Sequence, residues 1–350
     1  MYLFQCDYNQ MCHPAVLKKL NDSGSRPMVG YGTDEACRAA ADRIRALCND
    51  PSLSVHFLSG GTQTNLTVIA AALRPHQAVI APHSGHISEH ETGAIEAVGH
   101  KVLCLPSEDG KITATQIDAL LKQHYTPEGP GPEHTPQPKM VYLSMSTELG
   151  TVYTLSELEA IAAVCRAYNL YLYMDGARLG YALASRGCDV TMPDLARLCD
   201  AFYIGGTKQG AMFGEAVVIS NPAIAEDFRY LIKQRGGMLA KGWLMGLQFE
   251  ALLEDDVYWK AAAYANALAD EIRQTLAACH YPMPVNSPTN QVFCVMPDEV
   301  LAELAKDFLF TEWTRVDKGH RMIRFCTSWS TQEAHVLALC QRIAALTPRK

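Results

Sequence analysis

The chain is expected to fold as an α/β protein: a mainly parallel sheet flanked by helices, followed by a smaller α+β unit. Three observations predict this. Short, almost wholly apolar runs recur along the first two thirds of the chain, helical stretches separate several of them, and the pattern changes after a long helical region at about 238–278. Strands buried on both faces read as continuous apolar runs, and strands alternating with helices make a parallel sheet covered on both sides.

In chain order, residues 34–48 (DEACRAAADRIRALC) have the apolar spacing of an amphipathic helix, with Asp34 or Thr33 as its cap. The stretch VHFLSGGTQTNLTVIAAAL (55–73) passes from a strand through a Gly-Gly turn into a helix. AVIAP (78–82), KVLCLP (101–106), MVYLSM (140–145), LYLYMD (170–175), AFYIGG (201–206) and EAVVIS (215–220) each predict a short buried strand, and LSELEAIAAVCRAY (155–168) a helix. The Pro- and Gly-rich segment 125–139 predicts an exposed loop inserted before a core strand. Beyond the long helical region, 285–297, a helix at 298–307 and the strand-like MIRFCTSW (322–329) make up the smaller unit. A division into a large domain of 1–245, carrying the N-terminal segment, and a small domain of 246–350 follows.

Composition narrows the function classes. Of 350 residues, 48% are apolar and 19% charged, with a formal net charge of −7 and no basic run, which argues against nucleic acid as a partner. No apolar run approaches the roughly 20 residues that span a bilayer, and MYLFQCDYNQMCHP lacks the pattern of a signal peptide. Twelve cysteines without a CxxC pair fit reduced thiols in a cytoplasm.

Four local features carry chemistry. Ser59-Gly60-Gly61-Thr62-Gln63-Thr64-Asn65 lies where a strand turns into a helix, and a helix start presents N–H groups to an anion such as phosphate. Its spacing is neither GxGxxG nor GxxxxGK[ST], so nucleotide readings lack their glycines. Asp175, at the end of LYLYMD, can pair with a ring nitrogen, and Arg178 can fork onto a carboxylate; alone, the pair more often reads as a helix cap with a structural arginine. Lys208, in GGTKQG after AFYI, has the setting of a Schiff-base amine, although a lone lysine in a turn is ordinarily a surface residue. The run His83-Ser84-Gly85-His86-Ile87-Ser88-Glu89-His90-Glu91 places His86 and His90 four apart, but HExxH is absent and no obvious third ligand follows, so no metal is expected. One histidine over a cofactor ring is the better reading.

Taken in order, FQCDYNQMCHP with Asp7, YGTD (31–34), SGGTQTN, HISEHETGA, MDGARLG, GGTKQG and RGGMLAKG (235–242) resemble the threonine aldolase family of fold-type-I pyridoxal-phosphate enzymes over nearly the whole chain. The resemblance implies a seven-stranded, mainly parallel sheet, and pyridoxal 5'-phosphate joined to Lys208. It implies that Asp175 faces the pyridine nitrogen, that His86 stacks on the ring, and that Gly61 and Thr62 hold the phosphate. Arg178 and Arg324 resemble the arginines that grip the substrate carboxylate, with Asp7 as a further substrate-binding residue and Arg178 also reaching the cofactor. Arg235 and Lys241 resemble residues that reach a neighbouring subunit's phosphate, which implies a homodimer or homotetramer with shared sites. Two positions depart from the family pattern: Cys6 stands where many members have Ser, and Ser146-Thr147-Glu148 where some have a second histidine.

The implied activity is cleavage of a β-hydroxy-α-amino acid to glycine and an aldehyde. The resemblance leaves the base at the β-hydroxyl open among His86, Glu91 and a bound water. A β-eliminating lyase giving pyruvate and ammonia would use the same residues. A nicotinamide-dependent oxidoreductase would share the strand–helix pattern but leave Lys208 unexplained.

Overall fold

The computed structural model describes residues 1–126 and 131–347; residues 127–130 of the Pro- and Gly-rich segment lie outside it. Twelve strands occur among the described residues: β1 (Tyr2–Leu3), β2 (Ser54–Leu58), β3 (Gln77–Pro82), β4 (Lys101–Leu105), β5 (Gln137–Ser144), β6 (Tyr171–Asp175), β7 (Ala201–Gly205), β8 (Glu215–Ile219), β9 (Gln291–Pro297), β10 (Phe308–Leu309), β11 (Thr311–Arg315) and β12 (His320–Cys326).

Seven of them form one sheet in the order β2-β8-β7-β6-β5-β3-β4. Strands β3 to β7 run parallel, and β8 alone is antiparallel to its neighbours β7 and β2. The apolar runs arise because alternate residues enter different cores: Ala216 and Val218 pack into one, Val217 and Ile219 into the other. Helix Glu35–Leu47 begins at Asp34, whose carboxylate accepts from the Cys37 amide at 2.8 Å, and helix Leu155–Ala167 begins with a Thr154/Glu157 capping box.

Two differences from the sequence reading have physical causes. Strand β5 begins three residues before the apolar run, through Pro138, and its register against β3 shifts there. A proline has no N–H to give the ladder, so pairing tolerates it near a strand start beside an irregularity. The region 238–278 is two helices, Trp243–Leu253 and Val257–Ala278, because Asp255 and Asp256 take φ of 51° and 59° between them. Aspartate tolerates the left-handed region better than most residues.

Strands β11, β12 and β9 form a second, antiparallel sheet. Its core combines Val292, Cys294, Ile323 and Phe325 with Leu268 and Ile272 of the long helix and Leu339 of helix Glu333–Leu346. The first strand, β1, pairs parallel with β10, and Phe4 enters this same core. The amino terminus thus runs from the C-terminal unit toward the sheet edge where β6 ends. Among the described residues no helix is long and apolar enough to cross a membrane.

Candidate active site

Asp175 is the last residue of β6, at the carboxyl edge of the parallel strands, and is only 4% exposed. Hydroxyls of Tyr142 on β5 and Tyr203 on β7 donate to it at 2.6 and 2.5 Å. The Asn65 amide donates at 3.0 Å and the Ala177 N–H at 3.0 Å. Burial opposes its ionisation, but the His86 ring and these bonds outweigh it and hold the carboxyl below its ordinary value. Burial first, then Asp175 itself, pushes the Tyr142 and Tyr203 phenols well above theirs, so both remain donors. Asn65 is fully used: it gives a second N–H to Glu91 at 2.7 Å and accepts from the Tyr173 hydroxyl at 2.8 Å. A buried, ionised carboxylate held by four donors can stabilise a cationic N–H brought against it.

Lys208 follows β7, where the chain packs too tightly for side chains. A Cβ on Gly176 would stand 1.7 Å from the Tyr203 carbonyl oxygen, and one on Gly205 would stand 2.4 Å from that of Ala177. These glycines let the ends of β6 and β7 close together, with the Gly205 N–H donating to the Gly176 carbonyl at 2.9 Å. The half-buried Lys208 amine is held below its ordinary value, first by burial and then by the Arg178 charge, against the pull of Asp7, Asp175 and Glu215. Among the described residues its Nζ makes no hydrogen bond or ion pair. That is the condition of a nucleophilic amine.

The third component is the start of helix Gly61–Ala72, capped by Gly60 without a side-chain bond. Its first backbone bond runs from the Thr64 N–H to Gly60 at 3.0 Å, so the amides of Gly61, Thr62 and Gln63 have no intrahelical acceptor. Thr62 is exposed. A Cβ on Gly61 would approach the Tyr203 hydroxyl to 3.2 Å and press on the group that bonds Asp175. Gln63 accepts from the Ser59 hydroxyl at 2.8 Å and donates to the Arg235 carbonyl at 3.1 Å. Arg235 therefore meets this turn through its backbone; its buried Nε has no partner, and Lys241 is exposed.

Arg178 is engaged within the protein. Its Nε and one terminal N–H donate to both oxygens of Asp7 at 2.7 and 3.0 Å. Asp7 is fully buried and also accepts from Asn290 of the second unit at 3.0 Å. Although burial alone would raise it, the Arg178 and Lys208 charges and the bonds from Arg178 and Asn290 bring the Asp7 carboxyl down to about 2. Arg324 on β12 donates to Gln291 at 2.8 Å and to the Gln5 carbonyl at 3.0 Å, and its guanidinium lies 5.4 Å from the Trp313 ring centre. Both arginines thus hold the amino-terminal segment.

His86 opens a one-turn helix, His86–Glu89. Its N–H donates to the Glu148 carboxylate at 2.9 Å, and its Nδ1 is 2.8 Å from the Glu91 carboxylate. Its side chain is 36% exposed while that of Glu91 is fully buried, which leaves Nε2 as the open ring nitrogen. Glu148 also accepts from the Ser144 hydroxyl at 2.8 Å; burial and then Asp175 raise its carboxyl above the ordinary value.

Among residues the sequence reading singled out, Asp7, Asp175, Arg178 and Lys208 fall within one electrostatic cluster, and Glu91 and Asn65 link His86 to Asp175. It missed the roles of Asn65, Tyr142, Tyr203 and Asn290. The available signal was tyrosine inside otherwise aliphatic buried strands, since a buried hydroxyl requires a partner.

Comparison with known proteins identifies the family. The beta-eliminating lyase family matches residues 27–299. A low specificity L-threonine aldolase of Pseudomonas sp. (strain NCIMB 10558) is 33% identical over 349 residues, covering 97% of this chain and 96% of the relative. A solved threonine aldolase of Leishmania major superposes with a TM-score of 0.96 at 43% identity, covering 99% of this chain and all of the other. An aspartate aminotransferase of Thermus thermophilus, at 15% identity and a TM-score of 0.71, shares the fold. The chain belongs to the threonine aldolase group of the beta-eliminating lyase family, within the fold-type-I enzymes that depend on pyridoxal phosphate.

Proposed function

We propose that this chain cleaves β-hydroxy-α-amino acids of the L-threonine, L-allo-threonine or phenylserine type to glycine and an aldehyde. The observation that carries the reading is the convergence of an ionised Asp175, an unpaired Lys208 amine and a bare helix start at one sheet edge. These residues fit pyridoxal phosphate: Gly61 and Thr62 would hold the phosphate, Asp175 a proton on the ring nitrogen, and Lys208 the aldehyde carbon. When bound, the cofactor supplies an electron sink for breaking a bond at the amino acid's Cα.

His86 joins Lys208 and Asp175 in the catalytic set. Its bond to Glu91 fixes the ring and leaves Nε2 to take the β-hydroxyl proton. Arg324 and Arg178 orient the substrate carboxylate, and Asp7 acts through Arg178 by fixing its fork. Arg235 and Lys241 serve a neighbouring copy's phosphate in a homodimer or homotetramer, a reading supported by the exposure of Lys241. The working division is a large domain of 1–245 and a small domain of 246–350. The twelve free cysteines support a cytoplasmic location.

The matched family's description favours a second reading, β-elimination. Product analysis with threonine, allo-threonine and phenylserine separates the two: glycine plus the matching aldehyde supports the cleavage, whereas pyruvate plus ammonia from a β-substituted amino acid, with no glycine from these three, overturns it.

A further inference from the structure

Glu215, the first residue of β8, is 4% exposed and faces Gly205 on β7 and Leu58 on β2 across the sheet. Its carboxylate accepts from the Gly206 N–H at 2.9 Å, two residues before Lys208. The same turn is closed by the Gly206 N–H to Gly214 carbonyl bond at 3.0 Å and the Gly214 N–H to Thr207 hydroxyl bond at 3.1 Å. A second carboxylate is thus built into the loop that carries the lysine, although Asp175 already supplies the ionised group of the site. Burying a charge with so few donors is costly unless a cation repays it.

We propose that Glu215 is a positioning residue for Lys208, a buried carboxylate that favours the protonated form of the lysine's linkage to the cofactor. The inference rests on Lys208 being the cofactor-bearing residue. The titratable groups facing Glu215 are Lys208 on its own loop, Asp175 of β6, Tyr173 and Tyr203 of the sheet, and Tyr258 of helix Val257–Ala278. Lys208 is the one cation in that set. Arg178 opposes Lys208's charge and Asp7 favours it. Burial, with Asp175 adding to it, lifts the Glu215 carboxyl to about 7 against the bonds from Thr207 and Gly206 and the pull of Lys208.

The test is a pH titration of the visible absorption of the cofactor-loaded protein. Glu215→Gln keeps the acceptor for Gly206 and removes the charge. The midpoint of the linkage falls by about one pH unit, roughly tenfold in proton affinity, because an adjacent anion no longer favours the cation. Glu215→Asp restores most of the shift. An unchanged midpoint in E215Q, even with lowered activity, overturns the proposal and leaves Glu215 a support for the turn. Carbon-13 NMR of the wild-type glutamate carboxyls needs no substitution: the Glu215 midpoint moves when cofactor is added, and an identical midpoint with and without cofactor overturns the coupling. If no absorption depends on Lys208, as judged with Lys208→Ala, the reading of Lys208 has failed instead.

Discussion

Replacing Asp7 with asparagine leaves the shape of a buried fork almost intact and removes the charge that balances it. Asp7 is fully buried and accepts two bonds from Arg178, itself 9% exposed, and one from Asn290. Its carboxyl ionises at about 2 against an ordinary 3.8; that difference, at about 1.4 kcal/mol per pH unit, is worth about 2–3 kcal/mol of stability. Because the folded value is the lower one, this contribution is fully present above pH ~4 and is lost as the pH falls through about 2. At neutral pH the cost of D7N is larger, about 3–5 kcal/mol, because the Arg178 guanidinium stays buried without an anion. The assay is a double-mutant cycle of Asp7→Asn and Arg178→Gln by urea unfolding at fixed protein concentration. Each single change destabilises strongly, and the pair loses at least about 2 kcal/mol less than the sum. Strict additivity would refute the account of Arg178 as tied to Asp7. The same cycle followed by kinetics ties the fork to binding: D7N raises KM for the amino acid more than it lowers kcat.

Three further outcomes follow from the site. Asp175→Asn removes the charge and keeps one acceptor oxygen, so one of Tyr142 and Tyr203, which donate to different oxygens, loses its partner; kcat falls by about a hundredfold or more, and a change of only a few-fold in kcat would contradict the role given to Asp175. Arg324→Ala raises KM for the amino acid with a smaller effect on kcat, and an unaltered dependence of rate on substrate concentration would count against its grip on the carboxylate. Asn65→Ala strips one donor from each of two buried carboxylates, Asp175 and Glu91, and costs about 2–3 kcal/mol in unfolding experiments; a neutral effect would mean that water replaces it without loss.

The central strands of the main sheet were legible because burial on both faces writes them as apolar runs, and AFYIGG and EAVVIS correspond to β7 and β8 within a residue, whereas β4, expected to be buried, is a partly exposed edge strand. The helix starts were legible where a cap is a single side chain, as at Asp34 and Thr154. Asp175 and Lys208 could be picked out because one ends an apolar strand and the other follows one within three residues, each with chemistry that a core does not need. The long-range pairings carried no local signal. Asp7 and Arg178 are 171 positions apart, and the two-residue strand β1 exists only because Phe308–Leu309 is there to receive it. Tyr142 and Tyr203 looked like strand residues with large side chains; their hydroxyls acquire meaning only once β5, β6 and β7 lie side by side around Asp175. Glu215 was hidden for the opposite reason, as the polar first letter of an apolar strand.

Reduction of the cofactor-loaded protein with borohydride, followed by peptide mass mapping, tests the central assignment most directly. The account predicts a pyridoxyl-phosphate adduct on the peptide containing Lys208, and its loss together with turnover in Lys208→Ala. An adduct on a different lysine, or a K208A protein that keeps both the adduct and its activity, would contradict it.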